Sequence, residues 1–457
     1  MHAPRYTFRQ MLERYLKWSM LAMLLLGFAS GLPLMMVVSK LSFWLREVGV
    51  DRSVIGGFYA ASLAYSIKVF WSPVVDRVRI PLLTAALGQR RSWMILAATG
   101  AGIGLLTIGT SDPANDLTQT LVGAFILAYS GATLDIAVDA WRIESAPDDE
   151  QANMAAVYVL GYRAAIMFAG LGLVIAAKTS WMVSYGVMAA AMGVVVLLVL
   201  LIAEPERPPR TDAEAPILIQ IANAVYLPFQ QIVTRFRVWV IPVLLLVGLY
   251  RLSDFSMGVM ASPFYADLGY DKETVGYVTG LIGPWLLVAG GFLGGFVALR
   301  IRLMPALMVG AVITMLTNGA FALLAFDAGP GLDLFASGDA AAVVHTPATW
   351  ALIAVIGADN LAAGFVGTVF IAYLSSLTQR EFAATQYALF SSLYSLFVKS
   401  FAAATSGPLA ELVGWASFYI WTALFAIPAM FLVLFIWRYG PDNVTGRTVG
   451  LPSDGEE

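Results

Sequence analysis

The stretch Leu121-Val-Gly-Ala-Phe-Ile-Leu-Ala-Tyr-Ser-Gly-Ala-Thr-Leu-Asp135-Ile-Ala-Val-Asp139-Ala-Trp-Arg142 runs without a charge until two acids and an arginine close it. A helix needs roughly 20 predominantly apolar residues to cross a bilayer. Asp135 and Asp139 are four residues apart, so they share one helix face, and Arg142 extends that face. Because ionised groups are costly inside hydrocarbon, they indicate a protein-lined or water-lined pathway.

Eleven further apolar segments of similar length fill most of the chain. Its 457 residues are 59% hydrophobic and 12% charged, whereas soluble domains are about 25% charged. We therefore predict an all-α membrane protein with 12 transmembrane helices in the lipid bilayer. The predicted spans are 17–45, 53–76, 91–111, 117–142, 154–176, 181–203, 238–265, 273–298, 304–326, 348–376, 383–411 and 416–438.

The longest polar gap, Glu204 to Arg237, separates six spans from six. The predicted domains are an N-terminal six-helix bundle (1–203), a cytoplasmic linker (204–237), a C-terminal six-helix bundle (238–440) and a cytoplasmic tail (441–457). Similar motifs open corresponding spans: Val54-Ile-Gly56 and Thr274-Val-Gly276 open the second and eighth. Two parallel halves around a central cavity are the major facilitator plan, and chance similarity between apolar helices is the alternative.

The distribution of Lys and Arg predicts the orientation of the chain. With a cytoplasmic amino terminus, 18 of the 27 basic residues lie on the cytoplasmic side, 4 lie on the opposite side and 5 lie within spans. We therefore expect a multi-pass protein of the bacterial inner membrane with both termini in the cytoplasm.

The composition also excludes several classes of function. There is no cysteine, so a disulfide framework and a thiolate metal site are impossible. The two histidines are His2 and His345, and no nucleophile–base or metal-ligand pattern accompanies them. The net charge of −3 is small and argues against a nucleic-acid partner. We expect no enzyme activity, no cofactor and no metal.

Three charged residues of the N-terminal half are predicted at similar depth. Lys68, Asp135 and Arg163 each lie about 10–14 Å inside the membrane edge at roughly 1.5 Å per residue. They are candidates for one network, in which Asp135 couples protons and the two cations bind substrate carboxylates. The alternative is a static ion-pair cluster that holds helices together.

The C-terminal half carries a second set of candidates for substrate binding. Arg251 and Asp254 are three apart on one helix face, and a pair that neutralises itself is the alternative. Lys399 has no acid within one helical turn of its own span, so we expect a partner from another span or an anionic ligand. The remaining candidates in this half are Trp285, Asp359, Asn360, Gln386 and Tyr387.

Two further groups are assigned by position. Tyr65 lies one turn before Lys68, and Trp285 occupies the matching place in the eighth span, so both are candidates for stacking on a sugar ring. The candidates for gating are Asp76, Arg77, Asp139 and Arg142.

The segment Trp71-Ser-Pro-Val-Val-Asp76-Arg77, followed by Gly88-Gln-Arg90-Arg91, resembles the facilitator loop motif, in which the Asp acts as a conformational latch. A plain positive-inside cluster is the alternative explanation for these arginines.

Several stretches in both halves together resemble the AmpG muropeptide permeases of the major facilitator superfamily. They are Gly27-Phe-Ala-Ser-Gly-Leu-Pro33, Trp71 to Arg77, Asp135 to Arg142, Tyr158-Val-Leu-Gly-Tyr-Arg163, Pro263-Phe-Tyr265, Asp359-Asn360, Phe370 to Leu377 and Ala384 to Ser392. The chain departs from the family pattern at Lys40, Leu134 and Trp141.

The resemblance implies a monomeric, proton-coupled importer of GlcNAc-anhydroMurNAc peptides for peptidoglycan recycling, which works by alternating access. It further implies a contribution to β-lactamase induction where that pathway exists. Two alternatives stay open: a related facilitator for another large anion, such as acetyl-CoA or a siderophore-like peptide, and a non-transporting assembly or sensor protein on the same fold.

Overall fold

The computed structural model describes residues 17–145, 151–205, 230, 234–329, 345–377 and 383–445. Throughout these ranges the regular structure is helical, and they contain no β-strand. The helices, in chain order, are α1 (Trp18–Met35), α2 (Leu41–Glu47), α3 (Arg52–Tyr59), α4 (Ala64–Ile67), α5 (Ser72–Arg77), α6 (Leu83–Leu87), α7 (Gln89–Gly109), α8 (Leu117–Ser145), α9 (Gln151–Lys178), α10 (Trp181–Leu201), α11 (Val240–Leu249), α12 (Leu252–Asp267), α13 (Lys272–Tyr277), α14 (Gly283–Ile301), α15 (Leu303–Ala328), α16 (Thr349–Ser376), α17 (Ala383–Leu424), α18 (Ala426–Tyr439) and α19 (Asp442–Thr445).

In the described part of the chain, ten helical runs are long and apolar enough to cross a membrane. Two features reconcile them with the twelve predicted spans. The second span is broken into short pieces by 3₁₀ turns at Ala60–Leu63 and Lys68–Phe70. The last two spans form one run, Tyr394–Tyr439, which is kinked at Gly414 with a φ of 74°. The prediction of an all-α membrane protein is confirmed, and twelve spans are consistent with the structure.

The chain forms two compact units. The first contains Met1–Leu41 and Lys68–Glu214, and the second contains Ser42–Ile67 and Ala215–Glu457. The segment 42–67 therefore belongs to the second unit, in which α3 packs against α17. The domain boundaries at 203, 237 and 440 stay predictions.

Within the first unit, α7 packs against α8 and α10, and α1 packs against α9. Glycine allows α1 and α9 to approach closely, as small residues do between membrane helices. A methyl group added to Gly161 would overlap the carbonyl oxygen of Leu24, and one added to Gly27 would overlap that of Tyr158. The backbones of the two helices are therefore in direct contact.

Within the second unit, α14 packs against α16, α15 packs against α16 and α17, and α12 packs against α17. Its core includes Tyr250, whose ring stacks on Phe370 at 5.2 Å and whose hydroxyl donates to the carbonyl of Leu307 at 2.8 Å. The glycine contact recurs here, because a methyl group added to Gly364 would overlap the carbonyl oxygen of Leu287.

The α1–α9 contact predicts a strong effect of a single methyl group. We expect Gly161→Ala to destabilise the protein by about 1–3 kcal/mol, because the helices must separate to admit it. Gly186→Ala is the matched control, since Gly186 also lies in a long helix and nothing lies within 4 Å of the place that an added methyl group would occupy. Thermal unfolding in detergent should show a lower Tm for Gly161→Ala alone, and equal Tm values for both variants would contradict the packing argument.

Candidate functional site

The first unit contains a network of four charged side chains and one tyrosine. The ammonium of Lys68 forms an ion pair with the carboxylate of Asp135 and lies 3.7 Å from that of Asp139. The hydroxyl of Tyr158 donates to Asp135 at 2.6 Å, and Arg142 lies 3.8 Å from Asp139. Two cations and two anions balance, so the network is neutral when all four are ionised.

Local structure explains why these side chains meet. Asp135, Asp139 and Arg142 follow one face of α8 at a spacing of four and three residues. Lys68 begins a 3₁₀ turn in the broken second span, and the indole N–H of nearby Trp71 donates to the hydroxyl of Thr133 on α8 at 3.2 Å. The break and this contact hold Lys68 against the acidic face of α8.

Arg163 does not join the network. It is half-buried on α9, next to Tyr162. Across the described ranges no carboxylate forms an ion pair with it. The structure therefore brings Lys68 and Asp135 together as predicted and leaves the third member apart. Tyr158, which sequence reasoning had not assigned to the site, takes its place.

The predicted gate residues are only partly described. Asp139 and Arg142 face each other, and Asp139 is 41% exposed, so that pair reaches an accessible surface. The backbone of Asp76 and Arg77 belongs to α5, and their side chains lie outside the described part of the structure. The latch predicted for Asp76 stays a prediction.

Arg90 and Arg91 of the motif that resembles the facilitator loop contact two glutamates from other segments. Arg90 binds Glu144 through two hydrogen bonds of 2.6 and 2.9 Å. The carboxylate of Glu204 accepts the backbone N–H groups of Arg90 at 2.8 Å and Arg91 at 3.1 Å. Glu144 and Glu204 come from distant parts of the sequence, so no local pattern could have predicted them. The side chain of Arg90 therefore forms a specific ion pair and does not only add positive charge.

The second unit brings Arg251, Asp254 and Asp359 together. Arg251 lies at the break between α11 and α12 and forms an ion pair with Asp254 in the first turn of α12. The charges of both act on Asp359 of α16. Asp359 makes no hydrogen bond or ion pair with any other described residue. The self-neutralising pair left open by the sequence therefore forms, with a second acid near it.

The remaining predicted residues of the second unit are in differing environments. The amide of Asn360 donates to the carbonyl of Ile356 at 2.9 Å, so one of its donors is used inside α16. Tyr65 is half-buried on α4, whereas Trp285 is 67% exposed on α14, so the proposed matching pair differs in burial. Lys399 is half-buried on α17. The side chains of Gln386 and Tyr387 lie outside the described part of the structure.

A further cluster joins the end of α2 and start of α3 to α12 and α13, all within the second unit. Asp267 accepts hydrogen bonds from Arg46, from Arg52 at 2.8 and 3.2 Å and from the indole of Trp415 at 2.9 Å. The Arg52 guanidinium lies 4.4 Å from the centre of the Trp415 ring. Lys272 forms a separate ion pair with Glu47 at 2.8 Å. We call these residues the corner cluster.

The ion pairs of the corner cluster connect equivalent positions of the two halves of the internal repeat. In the alignment of Gly56 with Gly276, Glu47 corresponds to Asp267 and Arg52 corresponds to Lys272. Glu47 of the first repeat therefore binds Lys272 of the second, and Asp267 of the second binds Arg52 of the first. None of these four residues was singled out by sequence reasoning, although aligning the two repeats would have revealed them.

The backbone of the two corners repeats as well. Gly49 and Gly269 both adopt positive φ, 87° and 77°, a conformation that glycine adopts without steric cost. Asp51 and Asp271 both precede a helix at its N-cap position. Burial raises and hydrogen bonds from Thr274 lower the pKa of Asp271, with a net downward shift. Matching local structure at both corners supports the internal repeat.

The corner cluster predicts a graded effect of charge removal. Asp267→Asn should destabilise the protein by about 2–3 kcal/mol, because two arginines lose their charged acceptor. Glu47→Gln should cost about 0.2–1 kcal/mol, since this pair is more exposed. The exchange Glu47→Lys with Lys272→Glu should recover the Tm lost by either single change. A Tm for Asp267→Asn equal to that for Glu47→Gln would contradict the assigned contacts.

Known proteins match this chain in sequence and in fold. The Major Facilitator Superfamily model matches residues 19–344. A putative transporter, AmpG 4, of Rickettsia felis is 32% identical over 90% of this chain and 95% of its own length. The anhydromuropeptide permease of Escherichia coli K12 is 30% identical over 90% of this chain and 78% of its own length.

The solved structures agree on the fold. The nucleoside transporter NupG superposes with a TM-score of 0.65 at 14% identity, over 93% of this chain and 100% of that one. A D-xylose–proton symporter superposes with a TM-score of 0.65 at 13% identity, over 94% and 98%. At such identities the likeness concerns the fold alone. Taken with the sequence matches, these findings place the chain in the AmpG family of the major facilitator superfamily, as a multi-pass membrane transporter.

Proposed function

We propose that the chain imports GlcNAc-anhydroMurNAc peptides across the bacterial inner membrane by proton-coupled alternating access, as a monomer with both termini in the cytoplasm. The observation that carries the substrate class is the 30% identity to an anhydromuropeptide permease over 90% of the chain. The excess of Lys and Arg in the predicted cytoplasmic loops supports the orientation.

Proton coupling is assigned to Asp135. Its carboxylate accepts hydrogen bonds from Lys68 and Tyr158, and both donors stabilise the ionised form. A conformational change that moves Lys68 away would leave this carboxylate without its counter-charge inside the membrane, so it would take up a proton. The return of Lys68 would release the proton. The partner exchange therefore couples the protonation of Asp135 to the shape of the first unit.

Recognition of the substrate carboxylates is assigned first to Arg163. Lys68 is neutralised by Asp135 and Asp139, so its charge is already matched. Arg163 has no carboxylate partner among the described residues and can bind one in a bidentate manner. Lys399, which is half-buried on α17, is the corresponding candidate in the second unit.

The sugars and the gates are assigned to the other predicted residues. Aromatic faces bind sugar rings by stacking, and amides bind their hydroxyl and acetamido groups. We assign the sugar contacts to Tyr65, Trp285, Asn360 and Gln386. Asp76 is assigned to a gate, as is Asp139 with its partner Arg142.

Transport itself is tested by uptake. We expect the chain to restore recycling in a bacterial mutant that lacks muropeptide uptake. Membrane vesicles containing it should accumulate labelled GlcNAc-anhydroMurNAc tripeptide when the outside is made acidic. Vesicles that take up labelled acetyl-CoA or a siderophore peptide instead would contradict the proposed substrate class.

Coupling is tested by Asp135→Asn. We expect this change to reduce accumulation driven by a pH gradient at least about tenfold, while exchange of labelled for unlabelled substrate continues, because the amide does not release a proton at this position. The control is Asp116→Asn. Asp116 is exposed just before α8, and hydrogen bonds from Thr118 lower its pKa. Gradient-driven uptake by Asp135→Asn at the level of the unaltered protein would remove the assigned role.

A further inference from the structure

The charged side chains around Asp359 do not balance. Arg251 is paired with Asp254, and the charges of both act on Asp359. One positive and two negative charges leave this group with a net negative charge when all three side chains are ionised. The network of the first unit, by contrast, is neutral in its fully ionised form. One added proton would make the group around Asp359 neutral as well.

Arg251 compensates Asp254 and does not contact Asp359. A methyl group added to Gly367 of α16 would lie 3.6 Å from Nη1 of Arg251. Gly367 is eight residues beyond Asp359, which is about 12 Å along the helix axis. Asp359 makes no ion pair with Arg251, with Lys399 of α17 or with any other described cation. Its charge is therefore uncompensated by direct contact within the described ranges.

The helices that pack against α16 bring no further charge to this level. The charged residues of α14 and α15 are Arg300 and Asp327, and each lies in the last turn of its helix. Asp359 is half-buried ten residues after the start of α16 at Thr349, which places it about 15 Å inside the helix. An ionised carboxylate is costly at such a depth unless a partner compensates it.

Tyr419 lies within reach of both Asp359 and the corner cluster. Its side chain is fully buried, and its hydroxyl makes no hydrogen bond to any described residue. The charges of Asp359 and Asp267 both act on this hydroxyl, and Tyr265 is near it as well. Trp415, one turn before Tyr419, donates its indole N–H to Asp267 at 2.9 Å. Because a hydroxyl can both donate and accept a hydrogen bond, Tyr419 can pass a proton between its neighbours.

We propose that Asp359 is a second proton-binding site, and that Tyr419 connects it to the corner cluster at the membrane face opposite the cytoplasm. One proton neutralises the group around Asp359, whereas a substrate carboxylate would add another negative charge to it. The surroundings of Asp359 therefore favour a proton over the substrate contact that its position in the sequence suggested. The inference deepens the proposed function, because Asp359 carries a proton in addition to that of Asp135.

Infrared difference spectroscopy of the full-length protein in detergent tests the site without transport. A protonated carboxyl group gives a C=O stretching band that a carboxylate lacks. We expect the unaltered protein to show this band near neutral pH and Asp359→Asn to lose it. Asp327→Asn is the matched control and should keep the band, because Asp327 is 59% exposed at the end of α15. The Tm of each variant verifies that it is folded, and Asp359→Ser provides a second variant.

The charge count is tested by Asp254→Asn. This change removes one of the two negative charges, so Asp359 then needs no proton to balance Arg251. On titration from acid to base, the band should disappear at a pH lower by at least about one unit than in the unaltered protein. Disappearance at the same pH would contradict the assigned charge balance.

The connection through Tyr419 is tested by Tyr419→Phe. The band should remain, and its shift on transfer from H2O to D2O should become slower, because the hydroxyl that passes the proton is missing. Tyr373→Phe is the matched control, since Tyr373 is also fully buried with a hydroxyl that makes no hydrogen bond to a described residue. Equal rates of exchange in both variants would contradict the connection.

Transport by proteoliposomes separates this inference from the proposed function. Proton and labelled muropeptide uptake are measured together, and Asp359→Asn should move one proton fewer per substrate molecule. If the unaltered protein takes up no muropeptide, the proposed function is contradicted, and the spectra still decide whether Asp359 binds a proton. If the band persists in Asp359→Asn, or if Na⁺ in place of K⁺ removes it from the unaltered protein, the proton site is contradicted whatever the uptake.

Discussion

The ion pair between Lys68 and Asp135 is the interaction on which the rest of the site depends. Inside a membrane protein an ionised side chain costs several kcal/mol unless an opposite charge and hydrogen bonds compensate it. Lys68, Asp135, Asp139 and Arg142 satisfy this condition together, with Tyr158 as an additional donor to Asp135. Because the four charges match, the network satisfies this condition in the conformation that the structure describes.

Irregular helix geometry accompanies three of the basic residues in the spans. Lys40 ends a π-helical turn, Lys68 begins a 3₁₀ turn and Arg251 lies at the break between α11 and α12. At such breaks the regular i to i+4 hydrogen bonding is interrupted, which redirects side chains and weakens the helix locally. At these three basic residues a charged group and a point where the helix can bend therefore coincide. Transport needs both at the same place, since a proton or a substrate must be coupled to a movement.

The sequence predicted part of the site well and part of it poorly. The i, i+4 spacing of Asp135 and Asp139 correctly placed them on one face, because helix periodicity is a local property. Estimated depth placed Lys68 at the same level as Asp135, and the structure pairs these two side chains. Depth alone could not tell that Arg163 stands apart from the network, because depth does not define rotation about the helix axis. The same limit applies to Trp285, whose exposure differs from that of Tyr65.

What the sequence determined by itself is the membrane fold. The backbone groups of a long apolar segment find no water in lipid, so they must form the hydrogen bonds of a helix. The uneven distribution of lysine and arginine between the loops predicts the orientation of these helices in the membrane. The tertiary structure decided which charges are matched. Contacts such as Arg52 with Asp267 and Arg90 with Glu144 join residues far apart in the chain. Their energy depends on distance and burial across different helices, and neither quantity is encoded in any single segment.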